Sequence, residues 1–338
     1  MILVLGGTTE GRLAVKTLDE SGKAYFYSTR GALQQVCCRN GQRVTGGMDA
    51  EAMEAFCRTR GIRLIIDAAH PFAVQLHETV AAVSRKLNLE VIRFERQYPL
   101  RTADVVWCKD YQEAVSRLKK DGVTRLLALT GVQTIGKLRE FWADETLKPA
   151  CWFRILDREE SVALAERQGF DASRLVFYRE GAPEAELLEQ LKPQAILTKE
   201  SGESGGFVEK QEAARRFGIP LYAVCRPALP AGFITVTGIH GLRKAVERLL
   251  PDFYPLRSGY TTGACATAAA KAALIRLLTG DVPAEVSFHI PDGEELSLPV
   301  ESVVQEDGLS ATAAVVKDAG DDPDVTNRSV IEAKVAFS

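Results

Sequence analysis

From Met1 to about residue 250, short apolar runs alternate with amphipathic segments, an order that few folds accept. Met1–Leu5 reads as a buried strand, a glycine turn follows, and a helix extends to about Glu20 before the next strand at Ala24–Ser28. Asp49 suits an N-cap for a helix to Arg60, Leu64–Asp67 is strand, Phe72–Leu87 helix and Glu90–Phe94 strand. Repeated strand–helix alternation predicts a parallel sheet covered on both faces. A second series begins after the Tyr98-Pro99 turn. Its strands are Val105–Trp107, Arg125–Leu129, Ala150–Ile155, Ala195–Thr198 and Leu221–Val224, with Gln112–Lys120 among the intervening helices. Gly241–Leu250 is a closing helix that could pack on either series.

After Pro251 the texture changes. Thr262–Leu278 is an Ala-rich helical stretch, and short strand-like runs follow at Glu285–Ile290, Leu296–Val304 and Ser310–Val316. Charge divides at the same place: residues 257–338 have a balance of −7, against +4 for residues 1–256. The expected class is α/β, with two Rossmann-like doubly wound parallel-sheet domains at 1–97 and 98–252, followed by a partial α+β module at 253–338. No apolar run approaches the roughly 20 residues of a membrane helix, and Gly6 and Gly7 interrupt any leader-like start. Seven cysteines without a C-x-x-C pair disfavour a disulfide framework or a zinc site and suit a reducing cytoplasm. A net charge of −3, with no basic stripe, argues against nucleic acid as a partner.

Four motifs carry chemistry. Gly6-Gly7-Thr8-Thr9-Glu10-Gly11 fills the first strand–helix turn, where open α/β sheets bind cofactors and where a helix start favours a phosphate. It is not the G-x-G-x-x-G fingerprint, and a plain tight turn is the alternative. Ser28-Thr29-Arg30 ends the second strand, where a site selecting NADH usually has Asp or Glu. Hydroxyls with an arginine suit a 2′-phosphate, and a solvated loop is the alternative. Asp67-Ala68-Ala69-His70-Pro71-Phe72 ends another strand, so that His70 could donate a proton, bind a carboxylate or be structural; His77 on the following helix reads as structural. Thr130-Gly131 and the loop Thr198–Gly206 follow buried strands, with Lys199 and Ser201 as anion ligands and Lys210 on the next helix, or they form surface loops. Nucleophile-elbow, H-E-x-x-H and metal-cluster patterns are missing, so no metal site is expected and cofactor-dependent chemistry gains ground.

Taken in order, Gly6–Arg12, Asp67–Ala73, Leu129–Gly131 and Thr198–Gly202, with Gly205-Gly206, Glu209-Lys210 and Arg226-Pro227, resemble the signature of the precorrin-6A reductases of cobalamin biosynthesis over residues 1–250. The resemblance implies hydride transfer from NADPH, or NADH, to a carbon–carbon double bond of (cobalt-)precorrin-6A, giving (cobalt-)precorrin-6B. It assigns the cofactor to Gly6, Gly7, Thr8, Thr9, Glu10, Ser28, Thr29, Arg30, Thr130 and Gly131, with Arg30 leaning to NADPH. His70 is the catalytic candidate, and His70, Arg154, Lys199, Ser201, Gly202 and Arg226 would meet the carboxylates of the tetrapyrrole substrate. Arg257–Ala266 and Val316–Thr326 resemble the N-terminal signatures of the S-adenosylmethionine-dependent cobalt-precorrin-5B C(1)-methyltransferases. That domain is several times longer than residues 253–338, so the tail is expected to be inactive as it stands. The methyltransferase association favours the cobalt-bound substrate. Neighbouring corrin-pathway enzymes are the expected partners, with no membrane. The alternatives are methylation of cobalt-precorrin-5B by the tail, or a non-catalytic nucleotide-binding protein on the same scaffold.

Overall fold

The computed structural model describes residues 1–31, 36–179, 181, 184–291 and 295–337. The first series forms β1 (Ile2–Leu5), α1 (Thr9–Asp19), β2 (Tyr25–Thr29), β3 (Gly41–Thr45), α2 (Ala50–Arg60), β4 (Leu64–Asp67), α3 (Val74–Leu87) and β5 (Glu90–Glu95). β1 and β4 are buried along their whole length, as central strands of a doubly covered parallel sheet must be. The helices start where the sequence supplies a cap: Thr8 Oγ1 accepts the Gly11 N–H at 3.0 Å, and Asp49 accepts the Ala52 N–H at 2.9 Å.

The second series forms β6 (Val105–Cys108), α4 (Tyr111–Lys120), β7 (Arg125–Ala128), α5 (Arg139–Trp142), β8 (Ala150–Ile155), α6 (Glu159–Arg167), β9 (Leu175–Phe177), α7 (Glu184–Leu191), β10 (Ala195–Lys199), α8 (Phe207–Phe217) and β11 (Leu221–Val224). Its six parallel strands run in the order β6-β11-β10-β7-β8-β9.

β12 (Phe233–Thr237) then pairs in parallel with β5, so the first sheet has the order β12-β5-β4-β1-β2-β3. The sequence boundary at 98–252 had grouped this stretch with the second series. The compact units are instead Met1–Glu95 with Leu229–Ser338, and Arg96–Ala228. α9 (Gly238–Leu249) packs on α1, and its Leu242, Ala245 and Val246 share one core with Ile2, Val4, Leu18 and Ile92. Leu250, Phe253 and Tyr254 bury themselves in that same core. Continuity with the tail is therefore built into the packing of the first sheet.

The tail holds α10 (Thr262–Thr279), the antiparallel pair β13 (Glu285–His289) and β14 (Glu295–Pro299), and the antiparallel sheet β15 (Ser302–Asp307), β16 (Ser310–Val316) and β17 (Val330–Ala336). One small-residue face of α10, including Ala268, Ala269, Ala272 and Ala273, packs with Val286, Leu298 and Val315. The run read from sequence as one strand, Leu296–Val304, is two strands in two sheets. Pro299 has no N–H to continue a ladder, and Val300 instead donates to the Ala284 carbonyl at 2.9 Å. Among the described residues, no helix is long and apolar enough to cross a membrane.

Candidate functional site

In the first sheet the strand order reverses between β1 and β4, the place where ligands meet open α/β sheets. The turn after β1 lies at their carboxyl ends. The Gly6 N–H donates to the Ser28 carbonyl at 2.9 Å and the Gly7 N–H to the Tyr27 hydroxyl at 3.1 Å. A Cβ on Gly6 would lie 2.3 Å from the Tyr27 ring, and one on Gly11 would lie 2.8 Å from its hydroxyl, so Tyr27 requires both glycines. Gly7 has φ +101° and open space where a side chain would be. A bare backbone turn at the start of the eleven-residue α1 thus leaves room for a pyrophosphate. Thr9 accepts from Arg12 at 3.0 Å, and Glu10 is buried in the first turn. At the end of β2, Ser28 and Thr29 are buried and the Thr29 hydroxyl donates to the Gly31 carbonyl at 2.8 Å, which leaves Arg30 as the exposed group there. These residues fit a dinucleotide.

His70 stands across the same switch point, on the loop that follows β4. The Phe72 N–H donates to His70 Nδ1 at 3.2 Å, so the neutral ring carries its proton on Nε2. Beneath the loop is a cluster that sequence reading did not assemble. Asp67, wholly buried, accepts from His77 Nδ1 at 2.6 Å, Arg93 Nη1 at 3.1 Å and the Ala69 N–H at 3.0 Å. Glu95 holds the outer edge of the Arg93 guanidinium with two bonds of 3.1 Å. Burial alone would raise the Asp67 carboxyl, but the His77 hydrogen bond and the Arg93 charge outweigh it and hold it below the usual carboxylate range. One signal was present in the sequence: an arginine inside a buried parallel strand demands a partner.

In the second sheet the order reverses between β7 and β10. Thr130 and Gly131, assigned from sequence to the cofactor, follow β7; the Thr130 and Thr134 hydroxyls meet at 2.7 Å, and Thr134 caps the Gly131 carbonyl at 2.7 Å. Lys199 ends β10. Burial, then the like charges of Lys137 and Arg96, push its ammonium down to about 8. Lys210 on α8 is likewise pushed down to about 8, by burial and then by Arg154, while its Nζ donates to the Gly205 carbonyl at 2.7 Å. The other sequence candidates hold this loop together. The Ser201 hydroxyl donates to Gly205 O at 3.1 Å, Arg96 donates to Ser201 O at 2.6 Å, and a Cβ on Gly202 would lie 2.7 Å from Arg96 Cδ. Arg226 stacks 3.7 Å above the Tyr98 ring and joins Arg101 on the buried Glu200 carboxylate. Arg154 pairs with Glu184 at 2.5 Å. Lys199 is thus the sequence candidate whose ammonium burial and two neighbouring cations hold below its ordinary value. Lys137, whose charge it feels, carried no motif.

The two tail motifs interlock. Lys317, 2% exposed, donates to Thr262 at 3.0 Å and Thr326 at 2.7 Å and pairs with Asp324. Arg257 pairs with Asp318, and a Cβ on Gly259 would collide with the Ala319 backbone at 2.0 Å.

Two doubly wound parallel sheets with a polar site at each reversal define an α/β protein built to hold ligands at strand ends. The chain belongs to the family described as precorrin-6x reductase CbiJ/CobK, whose model matches residues 1–249. The cobalt-precorrin-6A reductase of Methanothermobacter thermautotrophicus is 30% identical over 264 residues, covering 74% of this chain and 85% of the relative. That of Synechocystis sp. is 28% identical, covering 74% and 97%. A solved CobK precorrin-6A reductase superposes with a TM-score of 0.59 at 24% identity, over 74% of this chain and 97% of that one, and shows the fold. Residues 251–338 match the CbiD model. The cobalt-precorrin-5B C(1)-methyltransferase of Desulfotalea psychrophila is 52% identical over 83 residues, which are 25% of this chain and 22% of the relative. The chain spans about a fifth of the length of the methyltransferases that its tail resembles.

Proposed function

We propose that this chain serves cobalamin biosynthesis in the cytoplasm by reducing one carbon–carbon double bond of precorrin-6A, in its cobalt-bound form, with NADPH as the hydride donor. The observation that supports this most is the placement of the family's motifs: the first two lie at one switch point and the last two at the other. A bound nicotinamide supplies the hydride. The Gly6–Glu10 turn and the start of α1 hold the pyrophosphate, and Arg30 takes the 2′-phosphate. Lys199, with Lys137 and Arg96 close enough to weigh on its charge, receives carboxylates of the macrocycle. His70, whose Nδ1 is taken by the Phe72 N–H, offers Nε2–H to a substrate oxygen, which favours carboxylate binding over proton donation.

Mixing the chain with cobalt-precorrin-6A and NADPH should consume NADPH and shift the macrocycle spectrum in equal amounts. NADPH binding without oxidation would favour a nucleotide-binding protein instead. Methylation of cobalt-precorrin-5B with S-adenosylmethionine is the second reading, favoured by the match of residues 251–338 to the CbiD model, with neighbouring corrin-pathway enzymes as partners. S-adenosylmethionine binding would support it, and its absence would leave the reductase reading alone.

A further inference from the structure

We infer that Asp67, His77 and Arg93 form a positioning device for His70, fixing the backbone of Ala68–His70 so that the imidazole meets its ligand in one orientation. The inference rests on the reading of His70 as substrate-facing. Three consecutive carbonyls of this loop are each met by a side chain from a separate element. Thr8 donates to Ala68 O at 2.6 Å, Arg93 to Ala69 O at 2.9 Å, and His77 Nε2 lies 3.2 Å from His70 O. Asp67 accepts the Ala69 N–H, and the Ala73 N–H also reaches His70 O at 2.8 Å. Thr8 belongs to the glycine turn, so the His70 loop and the candidate pyrophosphate turn are fixed to each other.

Stability does not explain such a cluster. Asp67, His77 and Arg93 are 0, 3 and 1% exposed, and replacing a buried ionic group by well-packed apolar residues is often neutral or stabilising. Polar groups buried at this cost do supply directional bonds, which apolar packing cannot. Here those bonds converge on the peptide groups leading to His70. The Asp67–His77 bond fixes the ring that reaches His70 O, and Glu95 braces the guanidinium that reaches Ala69 O.

The test is a double-mutant cycle in the full chain. His77→Gln should lower kcat/KM for cobalt-precorrin-6A roughly tenfold or more, yet by less than about twofold in the His70→Ala background, because the coupling passes through His70. The imidazole 15N resonances of His70, read without substrate or cofactor, should move in His77→Gln and stay in place in Ser84→Ala, a buried change on the same helix. Should His77→Gln fail to fold, Asp67→Asn/His77→Gln replaces the two side chains by an amide pair for the same measurements. Equal losses in the two His70 backgrounds, or unmoved His70 resonances, would overturn the inference. A wild-type chain without reductase activity defeats the functional reading instead, and the resonances still decide the positioning role.

Discussion

The switch points of the two sheets treat their buried groups differently. At the first, partners follow one another in an ordered chain: Asp67 lies between the His77 ring and Arg93, and Arg93 between Asp67 and Glu95. The carboxyl is held low and each partner has a fixed place. At the second, burial first and then neighbouring cations push Lys199 and Lys210 down to about 8, beside the paired Arg154–Glu184 and Arg226–Glu200. Ordered partners yield a defined geometry in the free protein. Buried ammonium groups held below their ordinary value gain from an anionic ligand, which favours their charged form. One end is therefore built to orient a group and the other to attract one.

The largest expected effect breaks the ordered chain. Asp67→Ala takes from the buried Arg93 one of its two carboxylates and from His77 its hydrogen-bond partner, and should cost about 3–5 kcal/mol of stability in urea unfolding. A loss under about 1 kcal/mol would mean that the partners are not ordered as described. The next effect acts on the second switch point. Lys199→Met should lower kcat/KM about tenfold or more, through KM, since a hydrogen bond to a charged group is worth about 1.5–3 kcal/mol. Its pH dependence has a definite sign. The folded lysines lose their protons near pH 8, the unfolded ones near 10.5, so stability rises with pH between these values and substrate affinity falls as pH passes 8. Lys199→Met should flatten both curves. An unchanged KM profile would detach Lys199 from the substrate.

What was legible in the sequence was local. Glycines after β1, a histidine after β4 and a polar glycine-rich loop after β10 lie within a few residues of the strand that positions them. The parallel alternation then puts strand ends on one side of a sheet. What was hidden depends on residues far apart in the chain. Arg93 reaches Ala69 across 24 positions, and Lys137 weighs on Lys199 with no motif to announce it. Phe233–Thr237 joins β5 only after the chain has completed a second sheet, a return that no periodicity encodes. β3 escaped for a different reason: Gly41–Thr45 is half exposed and contains one strongly apolar residue, so it lacks the buried-strand pattern.

The smallest expected effect tests whether exposure divides labour within the first switch point. Its buried polar groups, Asp67, His77 and Arg93, face backbone and one another, so they cannot select between cofactors. Arg30 is exposed at the end of β2, one strand away from the glycine turn, and the Gly6 N–H bond to Ser28 O fixes that spacing. The neighbouring Thr29 hydroxyl is already engaged with Gly31, so a 2′-phosphate placed there would depend on the guanidinium. Arg30→Ala should therefore weaken NADPH about tenfold while changing NADH by less than about twofold, both measured by cofactor titration, because only the former carries the extra phosphate. Equal weakening of both would give Arg30 a part in shaping the turn, and selection would then have to come from the buried side that this comparison assigns to geometry alone.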